Sequence, residues 1–124
     1  MYQNTPVQEL SVHDFKKHKI TNVIHHRNRK SNKHEGIIKF YTNWCGHCRN
    51  FHDSMVNLSK KGIPMKALDC EKNRSLSQKL GVEGYPTLGF VNSNGQIFQY
   101  EGTRKESDIT TAYKKFLKSN EDNK

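Results

Sequence analysis

Two of the three cysteines, Cys45 and Cys48, are separated only by Gly46 and His47, and this spacing suits thiol chemistry. Attack on a disulfide requires a thiolate, which an ordinary cysteine supplies only in small part at neutral pH. If Cys45 begins a helix, unpaired backbone N–H groups and the positive end of the helix dipole favour its thiolate. Cys48, one turn further on, is then placed to attack a mixed disulfide. We therefore predict that Cys45 is the nucleophile and Cys48 the resolving cysteine.

The two residues between the cysteines set the direction of exchange. His47 can add a positive charge near Cys45, and stabilising the thiolate of the reduced form makes the disulfide a stronger oxidant. Among proteins that use such a pair, reduction potentials from reductants to isomerases differ by roughly 90 mV, or about 4 kcal/mol for two electrons. Histidine rather than proline before Cys48 favours the oxidising end, so we expect disulfide formation and rearrangement rather than general reduction.

Hydrophobic periodicity predicts the elements that position this pair. Residues 37–41 form a mostly apolar run of β-branched and aromatic residues, which indicates a buried strand leading to the cysteines. Apolar side chains then recur in steps of three and four, which predicts an amphipathic helix beginning at the pair. These positions are Cys48, Phe51, Met55 and Leu58. Cys45 is thus expected at a junction between a strand and a helix.

The rest of the chain alternates strands with helices. Strands are predicted at residues 7–10, 65–69, 87–91 and 97–100, with an Asn-Gly turn between the last two. Helices are predicted after a capping box at residues 11–14, at residues 73–80 and near the C-terminus. The order βαβαβαββα predicts an α/β domain with a central mixed sheet flanked by helices on both faces. One domain would span residues 1–124, ending in a polar tail from about residue 119.

A lone pair of cysteines at this spacing can also be half of a zinc site. The chain has no second such pair, and Cys70 with His52 makes an incomplete substitute. The predicted strand before the pair, the helix after it and Trp44 in front of it favour redox chemistry, so no metal is expected. Cys70 ends a predicted strand and is expected to be a buried, inert thiol, with redox regulation as the alternative.

Targeting signals in the sequence do not decide the compartment in which the protein acts. No signal peptide is visible in the first twenty residues, no run approaches a membrane span, and the C-terminus is not an endoplasmic reticulum retention signal. The sequence as written suits the cytoplasm or a virion, and a secretory compartment if a leader was removed.

A family resemblance rests on several motifs together. Residues 40–48, which end in Trp-Cys-Gly-His-Cys, resemble the active-site strand and helix start of protein disulfide isomerase domains. Residues 84–87, Gly-Tyr-Pro-Thr, resemble the family's cis-proline loop, and Asp69 and Cys70 resemble the end of its third strand. The match runs from about Val7 to Leu117. It implies a thioredoxin fold and a monomeric thiol-disulfide oxidoreductase or isomerase acting on protein or peptide substrates.

The resemblance also implies roles for individual residues. Pro86 would shape the substrate groove and keep metal away from the cysteines, and the Tyr85 backbone would pair with an extended peptide. Trp44 and Tyr85 would supply apolar surface. Arg104 would approach Cys48 and favour its thiolate during reoxidation, although a solvated surface arginine is the alternative. No cofactor is implied beyond the redox-active Cys45–Cys48 disulfide.

One departure from the family lies five residues before the tryptophan. The family has a buried acid there that accepts the proton of the second cysteine, whereas this chain has Lys39. Lys39 could act as a neutral base, stay charged and stabilise thiolates, or extend to solvent, and we favour the last interpretation. Without the acid, we expect slower resolution by Cys48.

A second departure is a basic loop, residues 21–36, that is several residues longer than the family's. Residues 13–34 contain seven Lys or Arg, one acid and five of the seven histidines, so they hold +6 of the net charge of +9. Such a run is usually a solvated face. Residues 25–34 could instead bind an acidic partner, nucleic acid, an anionic membrane surface or a metal. Two alternative functions therefore stay open, a cytosolic thioredoxin-like reductant and a binding module that uses this loop.

Overall fold

The computed structural model of the protein describes residues 2, 4–11, 14–15 and 35–122, and for residues 47, 48 and 120–122 it describes the backbone only. Residues 21–34 of the predicted basic loop lie outside this description, so the proposed partners of that loop stay predictions. Within the described ranges, no helix combines the length and apolar character needed to cross a membrane.

Five strands form a single mixed sheet in the described part of the chain. They are β1 (Gln8–Leu10), β2 (Gly36–Tyr41), β3 (Met65–Asp69), β4 (Thr87–Val91) and β5 (Ile97–Tyr100). Their spatial order is β1-β3-β2-β4-β5, in which β3 runs parallel to β1 and β2, whereas β4 is antiparallel to β2 and β5. The predicted strands are confirmed, and β2 lies at the centre of the sheet. The predicted loop ends one residue too late, because Gly36 already belongs to β2.

In the described ranges, four helices accompany the sheet, namely α1 (Gly46–Asn50), α2 (His52–Lys60), α3 (Arg74–Lys79) and α4 (Glu106–Asp122). The single helix predicted after Cys45 is divided at Phe51, which keeps right-handed helical dihedral angles. The Met55 N–H still donates to the Phe51 carbonyl at 3.1 Å, so α2 continues from α1. Helix α4 covers the first four residues of the predicted polar tail, because no Gly or Pro stops it there.

The helix predicted after Ser11 is described only at its start. The Asp14 carboxylate accepts a hydrogen bond from the Ser11 N–H at 2.7 Å, which is the return bond of the predicted capping box. The other residues of that predicted helix lie outside the described part of the chain, so the helix stays a prediction.

Side chains of β2 alternate between two hydrophobic clusters on opposite faces of the sheet. Ile37 and Tyr41 join the first cluster, which also receives buried residues of α2 and α4. Ile38 and Phe40 join the second cluster, against which apolar residues of α3 pack. The two-residue period of a strand produces this separation. Helices therefore cover both faces of the sheet, as predicted. Lys39 lies two residues from both Ile37 and Tyr41, so it is on the face of the sheet that carries the first cluster.

Lys66 of β3 is a buried cation on the second face, and its replacement is expected to stabilise the protein. It is 2% exposed, and its Nζ donates to the Glu35 carbonyl at 3.2 Å. Burial lowers the pKa of Lys66 from 10.5 to about 8. At pH 7 Lys66 is therefore mainly charged in the folded protein, although burial of that charge is unfavourable. Lys66→Met should remove this unfavourable contribution and raise the free energy of unfolding by about 1–3 kcal/mol.

The pH dependence of this gain has a defined sign. Between pH 8 and 10.5, the range set by the two pKa values, the unfolded chain holds a proton on Lys66 that the folded chain has lost. The parent protein therefore gains stability relative to Lys66→Met as the pH rises through this range. Urea denaturation at pH 7 and pH 9.5 measures both effects. A Met variant that is less stable than the parent at pH 7 would contradict the expectation.

Candidate active site

Cys45 lies where the central strand gives way to a helix, as the sequence predicts. After β2 the chain turns at residues 42–45, closed by a hydrogen bond of 3.4 Å from the Cys45 N–H to the Thr42 carbonyl. The Cys45 carbonyl in turn accepts from the Arg49 N–H at 3.2 Å, which places Cys45 directly before α1. Cys45 is 7% exposed. Its sulfur is thus carried at the helix end where backbone N–H groups lack intrahelical acceptors.

Asp69 holds this turn to the neighbouring strand. The Asn43 amide donates to Asp69 Oδ2 at 3.3 Å, while Asp69 Oδ1 accepts from the backbone N–H groups of Glu71 and Lys72 at 3.0 and 3.2 Å. One carboxylate thereby joins the turn before Cys45 to the turn after β3. Sequence reasoning assigned Asp69 only by resemblance, although an aspartate between a strand and a polar turn is typical of such a cap.

The other residues of the predicted dithiol motif are located by their backbone. His47 and Cys48 lie within α1, but their side chains are outside the description, so the contacts predicted for them are not tested. A Cβ at Gly46 would meet no atom within 4 Å, and the space in front of this residue is therefore open.

The predicted groove residues gather beside this turn. The peptide bond between Tyr85 and Pro86 is cis, and the rings of Trp44 and Tyr85 meet edge to face at 6.0 Å between centroids. Trp44 is 65% exposed. Tyr85, Pro86 and Arg104 also line a groove of about 490 Å³, together with residues of α1 and α2. The side chains that the resemblance assigned to substrate binding therefore form one continuous surface.

Arg104 is exposed but has a defined partner. Its guanidinium donates to the Pro86 carbonyl at 2.8 Å, which ties the loop before α4 to the proline loop. Arg104 is therefore not a purely solvated arginine, and its hydrogen bond to Pro86 fixes one wall of the groove. Its predicted approach to Cys48 involves a side chain outside the described part and stays a prediction.

Lys39 does not extend to solvent, and the favoured interpretation of this residue was wrong. It is 0% exposed, because the middle of β2 is enclosed between β3 and β4 and covered by α2. Its Nζ donates to the Tyr2 hydroxyl. The same nitrogen lies 4.9, 5.4 and 5.9 Å from the ring centroids of Tyr2, Tyr41 and Phe51. The amine is therefore surrounded by the faces of aromatic rings, which offset part of the cost of burying a cation.

Hydrogen bonds connect this aromatic enclosure to the protein surface. The Tyr41 hydroxyl donates to Glu9 Oε1 at 2.7 Å, and the Tyr2 N–H donates to the same oxygen at 3.3 Å. Burial and then the bond to Glu9 raise the pKa of Tyr41. Burial opposes ionisation of Glu9, but the hydrogen bond from Tyr41 outweighs it together with further favourable contacts, and the pKa of Glu9 is lowered. Glu9 is thus the charged acceptor and Tyr41 the donor.

Cys70 is buried, as predicted. It is 1% exposed, and its thiol donates to the Leu68 carbonyl at 3.6 Å. Burial raises the pKa of Cys70 to about 11, so the thiol stays protonated near neutral pH. This environment is that of a structural cysteine.

No three His, Cys, Asp or Glu side chains in the described ranges cluster closely enough to hold a metal ion.

Comparison with known sequences gives matches along most of the chain. The family model described as Thioredoxin matches residues 13–115. The chain is 34% identical to a protein disulfide-isomerase of Humicola insolens over 79 residues, covering 60% of this chain and 16% of that protein. It is 33% identical to protein disulfide isomerase-like 2-2 of Oryza sativa subsp. japonica, covering 59% and 21%. The chain spans about a sixth of the length of the first relatives that it matches.

Solved structures share its fold. The J-Trx1 fragment of ERdj5 superposes with a TM-score of 0.71 at 20% identity, covering 91% of this chain and 52% of that one. Human ERp44 in its zinc-bound form gives a TM-score of 0.68 at 18% identity, covering 88% and 31%. At these identities the likeness concerns the arrangement of strands and helices, and this arrangement is the one predicted from the order of elements.

Proposed function

Because this chain belongs to the thioredoxin family, we propose that it exchanges thiols and disulfides in protein substrates as a protein disulfide isomerase domain does. The observation that carries this proposal is the place of Cys45, at the end of the turn that follows the central strand and directly before α1. The names of its relatives support the same activity.

The proposed reaction consists of two exchanges. The Cys45 thiolate attacks a substrate disulfide, so that one substrate sulfur leaves as a thiolate and the other forms a mixed disulfide with Cys45. Cys48 then loses its proton and attacks the Cys45 sulfur, which releases the second substrate thiolate and leaves a Cys45–Cys48 disulfide. Two electrons pass to the substrate, and the reverse sequence oxidises a substrate dithiol. Isomerisation occurs when a substrate thiol, rather than Cys48, attacks the mixed disulfide.

The groove would hold the substrate chain during these exchanges. An extended peptide can pair with the Tyr85 backbone, while Trp44 and Tyr85 contact its side chains. Arg104 keeps this segment in place through the Pro86 carbonyl. Gly46 carries no side chain that could obstruct Cys45, and His47 would add positive charge near the pair when protonated.

Reactivation of scrambled ribonuclease and reduction of insulin test this proposal. We expect both activities in the parent protein and neither in Cys45→Ser, whereas Cys70→Ser, which changes only the buried thiol, keeps both. A protein with titratable thiols at Cys45 and Cys48 but no activity would refute the proposal. The reduction potential then decides direction: a value near −180 mV, roughly that of protein disulfide isomerase, indicates an oxidant, whereas roughly −270 mV indicates a thioredoxin-like reductant.

A further inference from the structure

The groove beside the active-site turn carries a positive charge that the proposed reaction does not use. Its volume of about 490 Å³ lies within the roughly 300–1,000 Å³ of ordinary ligand pockets, so it can hold side chains of a peptide. Arg104 is the one charged side chain among the described residues that line the groove. The others are Asn50, Phe51, Ser54, Tyr85 and Pro86.

Arg104 is held in place but keeps most of its hydrogen-bonding capacity. Its Nη2 donates to the Pro86 carbonyl at 2.8 Å, and within the described part of the chain the guanidinium forms no ion pair. An arginine side chain has several further N–H donors in one plane. Because the hydrogen bond to Pro86 already restricts the side chain, a ligand that binds the remaining donors has less side-chain freedom to remove.

The acids nearest to Arg104 in the sequence do not neutralise it. Glu106 forms an ion pair with Lys61 at 3.5 Å, and Asp108 accepts a hydrogen bond from a threonine hydroxyl at 2.5 Å. Glu101 is exposed, and no ion pair joins it to Arg104 among the described residues. The guanidinium therefore presents an unpaired positive charge to the groove.

The place of Arg104 relates this charge to a bound peptide. In the proposed function an extended substrate pairs with the backbone of Tyr85, and the carbonyl that holds Arg104 belongs to the next residue, Pro86. The guanidinium thus lies within a residue or two of the substrate backbone. A planar guanidinium matches the two oxygens of a carboxylate and repels a lysine or arginine of the substrate.

We propose that Arg104 is a specificity-determining residue, which pairs with the carboxylate of an aspartate or glutamate within two residues of the reactive cysteine of a substrate. The inference rests on the proposed function, since the peptide must already lie along Tyr85. It adds a preference by charge to a groove that otherwise binds peptide backbone and apolar side chains.

Peptide disulfides with single substitutions test this preference. Their ends are acetylated and amidated, so that no terminal carboxylate competes. Glu, Gln or Lys is placed at each of the two positions before and the two after the cysteine, and kcat/KM is measured for each peptide. We expect Glu to exceed Gln, which has the same shape, about fivefold at one position, as a partly exposed charge pair at the top of its usual range would produce. Lys should fall below Gln at that position.

Two neighbouring cations provide matched variants. In Arg104→Gln the ratio of Glu to Gln should fall below about twofold, whereas Lys105→Gln should keep the ratio of the parent, because Lys105 is an exposed cation that does not line the groove. Arg104→Lys, which keeps the charge but loses the planar fork, should give an intermediate ratio. The ratio cancels any effect of a variant on Cys48, since both peptides pass through the same resolving step.

Equal rates for the Glu and Gln peptides in the parent would overturn the preference. An equal loss of the ratio in Arg104→Gln and Lys105→Gln would also overturn it, because the preference would then come from the net charge of the chain. In either case turnover of hydroxyethyl disulfide, which carries no side chain, would leave the dithiol chemistry intact. Failure of the parent with both the peptides and hydroxyethyl disulfide would instead refute the proposed function, and the role of Arg104 with it.

Discussion

Substrates are expected to remain covalently attached to Cys45 when Cys48 is replaced by serine. A serine hydroxyl cannot attack the mixed disulfide at neutral pH, so the second exchange is lost while the first is retained. We expect the lifetime of the mixed disulfide to increase at least 100-fold, which places this among the largest effects of any single substitution here. Incubation of Cys48→Ser with scrambled ribonuclease, followed by alkylation and non-reducing electrophoresis, measures the trapped complex.

The matched controls differ by one sulfur each. A Cys45→Ser/Cys48→Ser variant should form no complex, and Cys48→Ser/Cys70→Ser should form as much as Cys48→Ser alone, because the Cys70 thiol is buried and protonated. Trapping through Cys70, detected by mass spectrometry of the linked peptides, would overturn the assignment of Cys45 as the attacking residue.

Much of the fold could be predicted because local and long-range preferences agree. The apolar run of β2 and the stripe through Phe51, Met55 and Leu58 predict a strand followed by a helix, and the structure buries these positions. The position of Cys45 then follows from chain connectivity. The division of the helix at Phe51 carries no sequence signal, since that residue is neither Gly nor Pro and keeps helical dihedral angles.

The surroundings of Lys39 could not be predicted, because they come from separate parts of the chain. Tyr2, Tyr41 and Phe51 reach it from the N-terminal segment, the same strand and the helix junction. A lone lysine in an apolar strand can lie at an edge or extend its amine to solvent, and sequence does not reveal which strands will flank it. Only the central place of β2 in the sheet excludes both alternatives.

Lys39→Glu is expected to shorten the mixed-disulfide lifetime about tenfold. The amine of Lys39 is enclosed by the rings of Tyr2, Tyr41 and Phe51, so this position offers Cys48 no carboxylate to take its proton. A carboxylate at this position can accept that proton, and positioned general bases contribute factors of roughly 10²–10⁴ where their geometry is optimal. A glutamate introduced without other changes should provide a smaller part of this. Acid quenching of the reaction with a peptide disulfide, followed by mass spectrometry, measures the lifetime.

Lys39→Met separates the new base from the loss of the cation, because methionine fills similar space and has neither charge nor a proton to exchange. We expect this variant not to shorten the lifetime, since it offers Cys48 no acceptor. Its reduction potential should fall if the cation stabilises the thiolates of the reduced form. Urea denaturation of both variants confirms that folded proteins are compared. Equal lifetimes in the parent and in Lys39→Glu would mean that the proton of Cys48 leaves by another route, and the buried lysine would then have no part in resolution.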